Sequence, residues 1–465
     1  MKLKNFSLLF LLAFIFTWSC QKDADVFAPV ISGVEVDTVL NIGDKLVLAP
    51  DITNLVGIGY TWSVNGNEVA SGQIDYTFTA TEPGVFVVTF SASNKGGAGE
   101  RTYKIMVEKP IAITLKNGLS VARSIVLDIE PSIDGPERND YEYEWAIGDS
   151  IIGQTATLPF ISVKPGDYTL TLTAKAGKQS TSASCDVKVE DAEYSSYVNS
   201  LLEYKPSYAN LSTSSWLQPF TNSSKVFSSS YDKYIQELSE HIAENSFSEL
   251  GLGWWGGSAV FGFDHTVANV IGTNDIQLYI YSYYPDETAF SVAYDKNKNG
   301  KPDDDEWYEI KTTNYGQEAI KDYELTYNVE IVDLDNGNKR IIQKWFDNQE
   351  MEEEVVYDNI PAEFTPGALP GAYYENGVLG VYDGWQNPYT LKGRLVNIRL
   401  PQGMVGRITH NINIGDAVDS EGNKVYLPGI DFIKVQNITM LYWKENIKPM
   451  QSINKRVLAI KDNHL

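Results

Sequence analysis

One segment of this chain is used twice, and few folds accommodate it. GYTWSVNG at 59–66, TEPGVFVVTFSASN at 81–94 and IMVE at 105–108 return as YEYEWAIG at 141–148, VKPGDYTLTLTA at 163–174 and VKVE at 187–190. Trp62 and Trp145 lie 83 residues apart, and Pro83 and Pro165 lie 82 apart. In both copies apolar and polar residues alternate, the period of a strand with one buried face. A Trp on such a strand fills the gap between two sheets, and the run after each Pro-Gly turn supplies the facing wall. Neither copy holds a cysteine pair, so each must be held by apolar burial alone.

The Trp-bearing strand and the P-G-x-[YF]-x-[VL] turn resemble the PKD-like branch of the immunoglobulin-type sandwiches. The likeness implies two such domains, 28–109 and 110–191. It implies a stalk that lifts a head away from a membrane, with a second binding module as the weaker reading, because the fold does not name a ligand.

After the linker DAEYSSY at 191–197 the pattern changes. Tyr231, Tyr234, Ile235, Leu238 and Ile242 recur at helical spacing and predict one helix with serines ahead of it as caps. Beyond Gly251, ten runs such as DIQLYIYSYY, AFSVAY and GRITHNINI read as strands broken by Gly, Asn, Asp or Pro. The expected fold class is therefore all-β: two immunoglobulin-like sandwiches, then a larger jelly-roll-like sandwich with one helix over 193–465.

The N-terminus, MKLKNFSLLFLLAFIFTWSC, places two lysines before an apolar run too short to span a bilayer. It reads as a signal peptide over 1–19. Cys20 resembles the acylated cysteine of bacterial lipoproteins, although Thr17 replaces the usual Leu; plain secretion is the alternative. QKDAD, at the start of a tether over 20–27, resembles an acidic signal for export to the outer face of the outer membrane. The expected location is thus the outer membrane, lipid-anchored and facing the exterior. Cys185 lies in an alternating run and is expected as a buried thiol. Acidic residues outnumber basic ones 61 to 37 with no basic stripe, which disfavours nucleic acid as a partner.

The densest chemistry is AYDKNKNGKPDDDEWYEIK at 293–311. Asp295, Asn297, Asn299, Gly300 and Glu306 match positions 1, 3, 5, 6 and 12 of a calcium loop, and Lys301 and Asp303 occupy positions 7 and 9. Strands rather than helices flank it. A structural Ca²⁺ is the expectation, and a solvated hairpin tip the alternative. A second acidic turn, with Asp416, Asp419 and Glu421 beside Gly422, reads first as a hairpin tip. Trp254 and Trp255 stand among glycines and form either a binding wall or a turn into the core; on a strand only one indole can face a site. Tyr382, Trp385 and Tyr389 crowd a Gly/Asn/Pro loop, as a ligand-stacking rim or as a hydrophobic lid.

In order, GGSAVFGFDH (256–265), the Asp-rich stretch, WFDN (345–348) and LPGIDFIKV (427–435) resemble the "cell surface protein" lipoproteins of gut Gram-negative anaerobes, over most of 195–440. That resemblance implies a binding protein with no reaction assigned. Members accompany TonB-dependent transporters, and some resemble surface cobalamin-binding lipoproteins. The chain departs from the family at IYSYYPDETAF (280–290), so contacts made there do not carry over. A glycosidase would need two carboxylates facing across about 5–9 Å, and neither G-x-S-x-G nor H-E-x-x-H occurs. A nutrient-binding protein, corrinoid favoured, ranks first, a glycan-binding adhesin second and a glycoside hydrolase third. Of the four histidines only His265, after Asp264, invites a role, and a hydrogen-bonded strand-end histidine is the commoner case.

Overall fold

A computed structural model describes residues 26–33, 37–205, 231–246, 249–253, 255–282, 288–311, 319–360, 372–375, 378–381, 389–397, 406–440 and 455–465. The described residues are mainly β with one α-helix, as the alternation predicts.

Each repeat folds to the same five-stranded order. In the first it runs Asp37–Leu40, Gly97–Val107, Gly84–Asn94, Gly59–Val64, Asn67–Ser71, and in the second Leu119–Ala122, Gln179–Glu190, Gly166–Ala176, Glu142–Ile147, Ser150–Gly153. The first two strands of each order, Asp37–Leu40 with Gly97–Val107 and Leu119–Ala122 with Gln179–Glu190, pair in parallel, and the other described pairs of these sheets are antiparallel. A short two-stranded sheet accompanies each, Lys45–Leu48 with Tyr76–Thr79 and Leu127–Ile129 with Leu158–Phe160. Trp62 sits at the centre of the first core, its ring 4.7 Å from Phe90 and 5.4 Å from Tyr76. Trp145 is equally buried, and its indole N–H reaches the Thr155 carbonyl at 3.1 Å. Cys185 is buried.

By compactness the chain forms two bodies, and their border does not follow the expected cut at residue 193. One comprises 1–116, 130–156 and 170–185; the other comprises 117–129, 157–169 and 186–465. In the second body, Val126 belongs to the main apolar core and Ile161 packs against it. The Thr266 N–H donates to the Ser124 carbonyl at 2.9 Å, and Lys298 pairs with Asp128 at 3.1 Å. Tertiary burial, invisible in a composition shift, sets this boundary.

That core lies between two sheets. The larger runs Ser200–Lys205, Ser258–Ala268, Gly429–Asn437, Thr288–Ala293, Trp307–Ile310, Ala417–Val418. The smaller runs Leu250–Gly253, Lys455–Asp462, Ile276–Tyr281, Arg407–Ile412. Alternate residues of each, among them Phe290, Val292, Ile433 and Val435 against Ile276, Leu278, Ile280 and Val457, meet in the middle. The predicted helix occurs as Tyr231–Glu244 and turns Tyr234, Leu238 and Ile242 onto the same core.

Several runs expected in this sandwich leave it. Ala319–Asp333, Lys339–Asp347 and Glu352–Ile360 form a separate five-stranded sheet with Tyr389–Asn397 and Thr439–Met440. Alternation specifies a half-buried strand, and any apolar face can satisfy it. This sheet buries Tyr323, Leu325 and Leu391 together with Trp255.

Candidate functional site

The Asp-rich loop joins two adjacent strands of the larger sheet, Thr288–Ala293 and Trp307–Ile310. Short polar side chains fold it by capturing nearby N–H groups, which is why the motif is local. Asp295 accepts from the Asn299 N–H at 3.0 Å and the Gly300 N–H at 2.7 Å. Asn297 accepts from the Asn299 N–H at 3.0 Å, and Asn299 accepts from the Lys301 N–H at 2.7 Å. Gly300 takes φ +75°, where a β-carbon would be strained.

Glu306 closes the ring. It is buried and accepts from the Lys296 N–H at 2.8 Å and the Asp303 N–H at 3.0 Å, the latter across a short 3₁₀ turn, Asp304–Glu306. Asp431, from the LPGIDF motif, braces the loop from below: it accepts the Asp295 N–H at 2.8 Å and the Thr266 hydroxyl at 2.6 Å. Burial pushes its carboxyl up to about 6, against those hydrogen bonds. Tyr294 beside it is raised above the usual phenol range by burial and by the charge of Asp128, Asp431, Asp295 and Glu306.

The side chains of this loop are rich in oxygen, the donor a hard cation takes. Asn297 and Asn299 both point their carboxamides at the same oxygen of Asp303, at 2.6 and 2.9 Å. Turning either carboxamide over would bring oxygen to that point at the loss of the bond it accepts from the Asn299 or Lys301 N–H. With Asp295, Glu306 and a backbone carbonyl at the Lys301 position of the motif, the set would be all oxygen, the kind Ca²⁺ takes. Among the described residues no group of three or more His, Cys, Asp or Glu side chains is arranged to hold a metal. An ion here would therefore depend on the carboxamides and the carbonyl.

Of the aromatic candidates, only Trp255 has its side chain among the described residues. Trp255 is 1% exposed, its indole N–H donates to the Arg394 carbonyl at 3.2 Å, and its ring meets Tyr323 edge-on at 4.5 Å. The expectation of Trp255 as a ligand wall is corrected: its strand-end turn aims the ring between two sheets, where core packing takes up its faces. Tyr389 begins the Tyr389–Asn397 strand opposite Tyr327; its side chain lies outside the described residues, as do Trp254, Tyr382, Trp385 and Cys20. The second acidic turn has a hairpin-tip geometry, with Asp419 accepting the N–H groups of Glu421 and Asn423 at 2.9 Å each.

The sequence reading weighed His265 as a strand-end residue and missed its second partner. Its ring, fully buried, lies 2.8 Å from Asp264 and 2.9 Å from Asp462, the latter also buried. Burial by itself pushes the imidazole down, but the two carboxylates outweigh it and hold it above its ordinary value. Nearby, His464 meets buried Asp275 at 2.8 Å, which raises its value as well, while burial opposes. Only the adjacent Asp264 could have been suspected from the chain, because Asp462 is 197 residues away.

No curated protein matches the chain. Among solved structures it is similar to the titin I-band fragment I67–I69, at 13% identity and TM-score 0.29, covering 70% of this chain and 96% of that one. It is also similar to the N-terminal four Ig domains of Dscam1 isoform 1.9, at 14% identity and TM-score 0.23, covering 33% and 43%. Residues 111–189, within the second of the two modules, match the PKD domain model.

Proposed function

We propose that this chain is an extracellular binding protein, anchored through lipid on Cys20, whose β-sandwich head captures a small nutrient and passes it to a TonB-dependent transporter. A cobalamin-type corrinoid is the favoured cargo, on the motif resemblance. The carrying observation is how the head's buried carboxylates are used. Asp275 accepts the N–H groups of Val270 and Ile414, Glu306 those of Lys296 and Asp303, and Asp347 those of Gln349 and Met351 together with the Tyr323 hydroxyl. Asp462 is held by His265. Carboxylates engaged this way brace a rigid frame, and a rigid frame lowers the ordering cost of binding.

In this reading Ca²⁺ binds through Asp295, Asn297, Asn299, Lys301, Asp303 and Glu306 and pins two strands of that frame. It is structural and takes no part in chemistry. Calorimetric titration of the full chain with cyanocobalamin and with a glycan panel tests the proposal. Saturable cobalamin binding is expected. Binding of polysaccharide alone would replace the nutrient reading with the adhesin, and product released from labelled oligosaccharide would replace both.

A further inference from the structure

The larger sheet has two faces, and only one covers the main core. Strand register places Glu203, Val260, Lys434, Ser291 and Glu309 in one row across five strands, all on the other face. One rung along lie Phe432, Ala293 and Trp307. On the opposite side the Tyr389–Asn397 strand crosses above the sheet. There Gln436 donates to the Lys392 carbonyl at 2.9 Å, and a β-carbon on Gly393 would come within 2.8 Å of the Gln436 side chain. Lys434 therefore lies on this face between that strand and Trp307.

The charges along the row do not cancel. Glu203 is taken by Lys205 at 2.5 Å, and Glu309 by Arg394. Lys434 is partly buried yet makes no hydrogen bond or ion pair among the described residues, while Asp304, on the exposed 3₁₀ turn, is its remaining acidic neighbour. Burial pushes its amine below the usual lysine range, against the charge of Glu203 and Asp304. A cation removed from water without a partner is costly, and an anion delivered to it restores the balance.

We propose that Lys434 anchors an anionic oxygen group, carboxylate or phosphate, of a ligand that lies on this face with Trp307 beside it. The inference rests on the binding-protein reading and gives it a seat that the sequence motifs left unassigned. Trp307 offers a flat apolar surface to the body of the ligand, and Ser291 a hydroxyl.

The test is calorimetric titration of the full chain with inorganic phosphate and, separately, with glucuronate, on wild type, K434Q, K434M and K434R. Saturable binding of at least one anion is expected, weakened about tenfold or more in K434Q and K434M and largely kept in K434R. Preference for phosphate would mark a phosphate ester as the source, and preference for glucuronate a sugar acid. Wild type alone provides a readout independent of variant folding: anion binding should fall as rising pH discharges a lysine titrating below its usual range. No saturable binding of either anion, or equal binding by wild type and K434Q, overturns the proposal. If cobalamin binds wild type and K434Q alike while the anions do not bind, the Lys434 site falls and the nutrient reading stands. Anion binding through Lys434 without any nutrient binding would leave the Lys434 site standing and remove the nutrient.

Discussion

His265 shows how a residue's chemistry depends on what folding brings to it. Asp264, Asp462 and Asp431 contribute the charges around it, and Tyr194 and Phe263 the rings at 5.1 and 5.6 Å. Its folded value is raised, so the imidazolium form stabilises the fold fully below the unfolded value of about 6.5, and that stabilisation disappears as pH rises through the folded value. His464 acts in the same direction. Urea midpoints measured across neutrality should therefore decline toward alkaline pH, and His265→Gln should flatten the decline; an unchanged slope would remove His265 as its source. Trp255 makes a second prediction. Trp255→Ala should cost about 3–5 kcal/mol by opening a cavity against Tyr323 and Leu391. Denaturant unfolding would detect it, and a loss below about 1 kcal/mol would mean that the site collapses without harm.

The Asp-rich loop was legible in the sequence because its bonds are local. Most of its side-chain and backbone partners lie within ten residues, apart from Asp431 and Asp128. If Ca²⁺ binds as proposed, removal by EDTA should lower the melting temperature by several degrees, and Asp295→Ala should abolish that sensitivity. Scanning fluorimetry with and without chelator decides it: identical wild-type melts would leave the loop as a hydrogen-bonded turn. The long Ala319–Asp333 and Lys339–Asp347 strands were legible as strands, but their sheet was not. Their alternation is the same whether the apolar face meets the main core or Trp255.

For the whole molecule, the repeat announced two modules, and both fold to the same strand order. Where the head begins was hidden, since Val126 and Ile161 join its core from within the second repeat. A fragment spanning 193–465 should accordingly melt well below one spanning 110–465, with loss of a buried valine alone costing about 1.5–3 kcal/mol. Equal melting of the two would show that those segments add nothing. By itself the sequence determined strand character, the duplicated module, the helix and the inner geometry of the loop, all of which arise from contacts between residues close along the chain. Tertiary structure alone decided that Trp255 is core, that His265 meets Asp462 and that Lys434 has no ion-pair partner among the described residues. Each of these follows from which strands pair and in what register, and a period of two residues leaves many pairings open until a whole core is buried at once.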